Sequence, residues 1–143
     1  MAAAYFADTS FWIAISSRRD QFHARALSWS RHLVRTQAAL ITTEAVLFEW
    51  LNALSDPATR ATAAEGYRRC YRDPQVEVVR FRDDFVESAV KLYEARQDKT
   101  WSLTDCLSFV VMNQRALTHA LTTDNHFQQA GLEAILLQDP PET

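Results

Sequence analysis

Short apolar runs alternate along the chain with longer segments whose apolar residues recur at helical spacing. The apolar runs, which predict strands, occupy residues 2–7, 38–41, 76–79, 119–121 and 134–137. The helical segments occupy residues 11–35, 43–72 with a break at 56–57, 84–97, 103–117 and 125–130. Parallel strands are covered on both faces, so they appear as continuous apolar runs rather than as an alternating pattern. The order therefore predicts an α/β fold, a three-layer sandwich with a five-stranded, mainly parallel sheet.

Local signals mark where several predicted helices begin and end. Pro57 fits the first turn of a helix capped by Asp56 or Ser55. Residues 102–105, Ser-Leu-Thr-Asp, form a capping-box pattern ahead of an apolar stretch. Gly131 stands where a helix end needs a left-handed residue. These signals support the division of the chain into elements.

Length and composition favour one domain, residues 1–143, with 48% apolar residues to build its core. The start of the chain lacks a basic leader, and no apolar run is long enough to span a bilayer, so we expect a cytoplasmic protein without a membrane segment. The net charge of −3 does not by itself indicate nucleic-acid binding, although thirteen of the fifteen cations are Arg, which suits phosphate. Only two glycines occur, which excludes glycine-rich phosphate loops.

Four of the eighteen acidic residues fall where predicted strands end or predicted helices begin. Asp8 closes the first strand and Asp124 the fourth. Asp105 lies in the first turn of the helix before the fourth strand, and Glu49 lies about two turns into the helix after the second. In a parallel α/β sheet, the carboxyl ends of strands and the amino ends of helices share one edge, where ligands bind. The topology therefore predicts that the four carboxylates converge.

Each of these acids also has a simpler structural explanation. Asp8 and Asp124 are suitable N-caps for the helices that follow them, and Asp105 is the acidic half of the capping box. Glu49 is explained equally well as an exposed residue of a half-buried helix. Convergence on one edge is what favours the functional interpretation of all four.

Glu49 is the most informative of the four because its helix, residues 45–54, is apolar over most of its circumference. An ionised carboxylate in apolar surroundings is costly unless it is paired or bound to a metal. The side chains one turn away from it are small or polar, which favours a groove: Ala45, Asn52 and Ala53. Glu44 is explained by the favourable dipole at the helix start, but it remains the alternative to Glu49.

Several carboxylates in one cleft need a counter-ion. Two carboxylates ~5 Å apart repel by roughly 1–3 kcal/mol at effective dielectric constants of 20–80. Hard divalent cations with oxygen ligands, Mg²⁺ or Mn²⁺, meet this need and leave positions for a substrate phosphate. No His or Cys cluster has the spacing of a zinc site, which disfavours zinc.

The motifs that carry these acids resemble those of PIN-domain nucleases, in order and in spacing. They are Asp-Thr-Ser at 8–10, Thr-Thr-Glu-Ala-Val-Leu-Phe-Glu at 42–49, Ser-Leu-Thr-Asp at 102–105 and Thr-Thr-Asp at 122–124. The sequence is most similar to single-domain members related to VapC-type toxins of toxin–antitoxin systems, from residue 5 to about residue 137. The resemblance implies a PIN-like fold whose catalytic and metal-binding residues are Asp8, Glu49, Asp105 and Asp124. It matches Ser10 or Thr9, and Thr123, to neighbouring hydroxyl positions, whereas we interpret His23 as structural.

The resemblance implies a metal-dependent endoribonuclease that hydrolyses RNA phosphodiester bonds as the toxin of a toxin–antitoxin pair. It also implies a cognate antitoxin and a homodimer. We expect the antitoxin in a groove between the helix at 59–71 and the helix carrying Phe48 and Trp50, and Arg18 and Arg19 are candidates to reach RNA phosphates. Binding of one ion and binding of two remain alternatives.

Two other functions are compatible with acids at strand ends. One is a non-catalytic PIN-fold module that binds nucleic acid or protein, which the complete set of four acids argues against. The other is a small phosphatase or receiver-like domain. That would require paired acids near the first strand and a Lys after the last, and neither Lys91 nor Lys99 lies there.

Overall fold

The structure is a computed structural model and describes residues 3–142. Met1, Thr143 and position 2 of the predicted first strand lie outside this range. The strands are β1 (Ala4–Ala7), β2 (Ala39–Thr43), β3 (Val76–Val79), β4 (His119–Leu121) and β5 (Glu133–Ala134). The helices are α1 (Thr9–Ser16), α2 (His23–Thr36), α3 (Glu44–Ala53), α4 (Pro57–Arg72), α5 (Asp83–Ala95), α6 (Leu103–Gln114) and α7 (Asn125–Gln129), followed by a 3₁₀ turn at Ile135–Leu137.

The five strands form one sheet in the order β3-β2-β1-β4-β5, and every neighbouring pair is parallel. The helices flank this sheet, so the predicted three-layer α/β architecture is confirmed. The strand order reverses at β1, which pairs with β2 on one side and β4 on the other. This reversal is the topological switch point at which open α/β sheets bind ligands.

The core explains why the strands appear in the sequence as continuous apolar runs. Phe6 of β1 and Leu121 of β4 are fully buried, as are Leu47 of α3, Met112 of α6 and Phe127 of α7. The hydrophobic cluster includes residues from β1 to the final 3₁₀ turn, so helices and sheet share one core. Among the helices of residues 3–142, none combines the length and the apolar character that crossing a membrane requires.

The predicted helix boundaries are correct where a cap marks them. The Asp56 side chain accepts a hydrogen bond from the Ala58 N–H at 3.1 Å, with Pro57 in the first turn of α4. Ser102 and Asp105 form both hydrogen bonds of a capping box at the start of α6. Gly131 has a φ of +83°, the left-handed conformation that glycine adopts at little cost.

Two predicted elements differ from the structure. The helix predicted at 11–35 is two helices, because residues 17–22 form a turn in which the Asp20 carboxylate accepts the Phe22 N–H at 2.8 Å. The strand predicted at 134–137 pairs with β4 only at positions 133 and 134 and continues as a 3₁₀ turn. Ile135 and Leu136 are apolar because they are buried in the core, not because they extend the sheet.

Candidate active site

The carboxyl edge of the sheet at the β1–β4 switch point carries a cluster of acids and hydroxyl groups. Asp8 follows β1 directly, and its backbone N–H donates to the carbonyl of Leu121, the last residue of β4. The segment 122–124 follows β4 and leads into α7. The parallel pairing of Ala7 with Leu121 therefore places the ends of both strands side by side.

Asp8 is 5% exposed, and its carboxylate is held inside the site. It occupies the N-cap position of α1, but its side chain makes no capping hydrogen bond. Instead, Oδ2 accepts a hydrogen bond from the Thr122 hydroxyl at 2.8 Å. Helix capping therefore does not explain this acid.

Burial raises the pKa of Asp8 to about 7, from an ordinary value of 3.8. The hydrogen bonds from the Thr122 hydroxyl and the Thr9 backbone oppose this rise, whereas the negative charges of Asp105 and Glu49 add to it. Desolvation disfavours the charged form of a carboxyl group, and like charges do the same. The influence of Asp105 and Glu49 on Asp8 indicates that the three carboxylates belong to one electrostatic cluster.

A hydroxyl network fixes the segment between Asp8 and Asp124. The Ser10 hydroxyl donates to Thr122 Oγ1 at 3.3 Å and accepts the Thr123 N–H at 3.1 Å. Thr122 Oγ1 also accepts the Asp124 N–H at 3.0 Å, so this hydroxyl uses one donor and two acceptor positions. Ser10 rather than Thr9 therefore joins the network; within residues 3–142 the buried Thr9 Oγ1 has no hydrogen-bond partner. The hydroxyl that contacts Asp8 belongs to Thr122, whereas the resemblance matched Thr123, which joins the network through its backbone N–H.

Asp105 is buried and caps α6 at the sheet edge. Its backbone N–H donates to Ser102 Oγ at 3.0 Å, and its Oδ2 accepts the Ser102 N–H at 3.1 Å. The same Oδ2 lies 2.8 Å from Nδ1 of His126. The capping explanation is therefore correct for this residue, and the amino end of α6 also places its carboxylate at the sheet edge, where it contacts His126.

Asp124 caps α7, since its Oδ1 accepts the His126 N–H at 2.9 Å. One ligand atom each of Asp105, Asp124 and His126 falls within 4.8 Å of the others, a spacing compatible with a bound metal ion. His126 was missed because an isolated histidine in a short helix gave no motif. The available signal was its position two residues after Asp124, in the first turn of the helix.

The two candidate glutamates of α3 differ in what they contact. Glu49 is exposed at the site and its charge contributes to the raised pKa of Asp8. Glu44 contacts the loop between β3 and α5, where its Oε1 accepts the Phe81 N–H at 2.6 Å. This contact occupies Glu44 with the loop before α5, so the geometry favours Glu49 for the site.

The donor set fits a hard divalent ion. Asp8, Asp105, Asp124 and Glu49 offer carboxylate oxygens, the ligands that Mg²⁺ and Mn²⁺ prefer. Within residues 3–142, Oδ1 of Asp105 and Oδ2 of Asp124 accept no protein hydrogen bond, which leaves both oxygens available. Burial is the main cause of the raised pKa of Asp8, and a cation would relieve the smaller contribution that repulsion from Asp105 and Glu49 makes to it.

Two other residue groups of the sequence prediction lie elsewhere or have structural roles. Arg18 and Arg19 are exposed beyond the far end of α1. A rise of 1.5 Å per residue over the eight residues of α1 places them about 12 Å along the helix from Asp8. His23 Nδ1 lies 2.7 Å from the Ala14 carbonyl and links α2 to α1, as its structural interpretation predicted.

Comparison with known proteins gives a consistent result. The family model described as PIN domain matches residues 5–132. The chain is 29% identical over 127 residues to the 23S rRNA-specific endonuclease VapC20 of Mycobacterium tuberculosis, in strains CDC 1551 / Oshkosh and ATCC 25618 / H37Rv, covering 88% of this chain and 93% of that protein. Its fold superposes on the crystal structure of M. tuberculosis VapC20, a sarcin–ricin loop cleaving toxin, with a TM-score of 0.79 at 25% identity, covering 92% of this chain and 98% of that one.

Proposed function

This chain belongs to the PIN domain family, and we propose that it is a divalent-metal-dependent endoribonuclease that acts as the toxin of a toxin–antitoxin pair. The observation that carries the proposal is the buried carboxylate of Asp8, whose pKa is raised to about 7 beside Asp105 and Glu49. A protein has little structural reason to gather acids around a buried Asp, because each added charge increases the repulsion. Perturbed carboxyl groups in a cleft are typical of functional sites.

In the proposed mechanism, Asp8, Asp105 and Glu49 would hold Mg²⁺ or Mn²⁺. A bound ion would supply positive charge beside the scissile phosphate and would favour ionisation of the attacking water. Asp8 would act as an ionised ligand, its proton released to solvent, and the Thr122 hydroxyl would keep this carboxylate oriented through its hydrogen bond to Oδ2. Asp124, whose Oδ1 is engaged by α7, offers Oδ2 either to the attacking water or to a second ion.

We propose looped, single-stranded RNA as the substrate, with a ribosomal RNA hairpin as the first substrate to test. The site lies at the carboxyl edge of the sheet, where Asp8 and Asp105 are buried and Glu49 is exposed. An unpaired RNA backbone can bend toward such recessed groups more readily than a rigid duplex can. The relative named above is a 23S rRNA-specific endonuclease, and the solved structure is that of a toxin that cleaves the sarcin–ricin loop. A ribosomal RNA substrate supports the proposal that the protein acts in the cytoplasm.

The activity is tested with purified protein and a labelled 23S rRNA fragment containing the sarcin–ricin loop, in Mn²⁺ and in EDTA. We expect cleavage in Mn²⁺ by the wild type and by the control Asp84→Asn, whose exposed carboxylate lies at the start of α5. Asp8→Asn and Asp105→Asn should lose cleavage by two or more orders of magnitude. Full cleavage by both variants would exclude this site. Absence of Mn²⁺ binding in the wild type would favour the non-catalytic PIN-fold module.

We propose that the antitoxin docks in an apolar groove lined by α1, α2, α3 and α4. The groove has a volume of about 960 Å³, and its lining includes Ile15, Leu33 and Val34. Trp50 lines the groove and is buried, whereas Phe48 is 45% exposed and lies outside the groove lining. Of the two aromatic residues of α3, one therefore packs in the core and the other lies on the surface. Arg69 and Arg72 line the groove together with Glu65 and Asp73, and Arg72 pairs with Glu65, so it is the apolar part of the lining that favours an apolar helix.

The groove is tested by co-purification with the small protein encoded in the adjoining reading frame. Val34→Glu places a charge on a side chain that is 65% exposed, so it should weaken complex formation without unfolding the protein. Leu137→Glu places the same charge on an exposed apolar residue outside the groove lining and serves as the matched control. Equal complex formation by both variants would exclude the groove as the docking site.

We propose that a second copy of the chain covers another apolar surface, formed by α3, α5 and the loop before α5. Phe48 and Phe81 contact each other there with ring centroids 5.9 Å apart, and Tyr93 on α5 is 55% exposed. Exposed apolar clusters of this kind mark interaction sites. Light scattering should give a dimer for the wild type and a monomer for Phe81→Ser, and a monomeric wild type would contradict the proposal.

A further inference from the structure

We propose that His126 is a positioning residue of the proposed metal site: it holds Oδ2 of Asp105 so that Oδ1 faces the ion. The inference rests on the proposed metal-dependent nuclease function and assigns a role to a residue that this function did not require. His126 lies in α7, beyond β4, whereas Asp105 lies in α6. The contact between them therefore joins the first turn of α6 to the first turn of α7.

The two oxygens of Asp105 have different surroundings. Oδ2 accepts the Ser102 N–H at 3.1 Å and lies 2.8 Å from His126 Nδ1, which occupies its lone pairs with protein donors. Within residues 3–142, Oδ1 accepts no protein hydrogen bond. A carboxylate held at one oxygen by two donors presents its other oxygen in a fixed direction. Oδ1 is therefore the ligand atom and Oδ2 the anchored one.

The surroundings of His126 determine which of its ring nitrogens carries the proton. An ionised carboxylate only accepts hydrogen bonds, so the contact with Asp105 requires a proton on Nδ1. Nε2 lies 3.3 Å from Thr100 Oγ1, whose hydroxyl can donate to it. With the proton on Nδ1, both ring nitrogens have a partner: Nδ1 donates toward Asp105 and Nε2 accepts from Thr100.

Asp124 adds a second constraint on the same imidazole. Its Oδ1 accepts the His126 backbone N–H at 2.9 Å and lies 3.6 Å from Nδ1. The capping contact fixes the backbone of the histidine, and the ring contact fixes Asp105. His126 therefore couples the spacing of two proposed site acids that are nineteen positions apart in the sequence. Histidine–carboxylate contacts of this kind orient ligands, and their loss typically lowers metal affinity or activity about 10–100-fold.

Mn²⁺ binding by the intact protein tests this role, measured by the electron paramagnetic resonance signal of free Mn²⁺. His126→Phe retains a ring but removes the Nδ1 donor, and we expect it to weaken Mn²⁺ binding about 10–100-fold. His126→Asn places an amide donor near the position of Nδ1, and we expect it to restore most of the lost affinity. His119→Phe is the matched control, because His119 begins β4 at the opposite end of the strand and pairs with Glu133.

Pulsed electron paramagnetic resonance of bound Mn²⁺ separates positioning from direct ligation. We expect no coupling to a directly bound ¹⁴N nucleus in the wild type, because the ring nitrogen faces Asp105 Oδ2. A ¹⁴N coupling in the wild type that disappears in His126→Phe would overturn the positioning role in favour of ligation. Unchanged Mn²⁺ affinity in His126→Phe would also overturn it, with the nuclease proposal intact. A wild type that binds no Mn²⁺ would overturn both proposals.

The His126 variants need a folding control, which circular dichroism and thermal melting in EDTA provide. The side chain is 24% exposed, so a change of ring chemistry there leaves the buried core untouched. We expect metal-free melting temperatures close to that of the wild type. If His126→Phe and His126→Asn both fail to fold, the positioning role is overturned, because His126 is then required for the fold itself.

Discussion

Replacement of Asp8 by Asn removes a carboxyl group that is buried in the folded protein and puts a neutral amide in its place. The Thr122 hydroxyl donates to Oδ2 of Asp8, and the amide oxygen of Asn can accept the same hydrogen bond. Asn has nearly the volume of Asp, so the packing of the buried side chain is retained. The substitution thus isolates the ionisation of residue 8 from its shape.

The magnitude follows from the pKa of Asp8, which burial raises from 3.8 to about 7. In this pH range the folded protein binds the proton more tightly than the unfolded chain, so stability falls as the pH rises from about 4 to about 7. Each pKa unit corresponds to about 1.4 kcal/mol, which makes the full cost of ionising Asp8 on the order of 4 kcal/mol. Asp8→Asn avoids this cost, and we expect it to be more stable than the wild type above pH 7 when no metal is present.

Urea denaturation in EDTA at pH 5 and pH 8 measures the effect. The free energy of unfolding of the wild type should fall between these values by more than that of Asp8→Asn. Asp84→Asn, which changes an exposed carboxylate, should follow the wild type. Addition of Mn²⁺ at pH 8 should stabilise the wild type and leave Asp8→Asn nearly unchanged, because only the wild type binds the ion tightly. If wild type and Asp8→Asn show the same pH dependence without metal, the burial argument for Asp8 is wrong.

Three further predictions follow from the packing and hydrogen bonds. Thr122→Val removes a hydrogen bond to the ionised Asp8, so it should destabilise the metal-free protein at pH 8 by about 1.5–3 kcal/mol and by less at pH 5, measured by urea denaturation. Gly66→Ala should cost about 1–3 kcal/mol, because its Cβ would lie 2.6 Å from the ring of the buried Trp50; an unchanged urea midpoint would contradict the close packing. We propose that residues 1–143 are one domain, so tryptophan fluorescence and circular dichroism should report a single coincident unfolding transition, and two separate transitions would refute this.

The sequence alone determined the architecture and where the acids converge. Continuous apolar runs predicted parallel strands, and the structure shows five parallel strands in one sheet. Because parallel strands end at a common edge, the positions of Asp8 and Asp124 after their strands were sufficient to predict that they lie near each other. Caps such as Asp56 and Ser102 involve residues close in sequence, so they too were predicted correctly.

Only the tertiary structure decided which side chains contact one another at that edge. Glu44 and Glu49 lie on one helix, but Glu44 contacts the Phe81 backbone and the charge of Glu49 acts on Asp8. Both interactions depend on elements far away in the sequence. The contacts of Thr122 with Asp8 and of His126 with Asp105 join residues 114 and 21 positions apart. Hydrophobic periodicity reports which face of an element is buried, but it carries no information on the direction of a polar side chain toward a partner on another element. Those directions arise only when the strands are aligned and the helices packed.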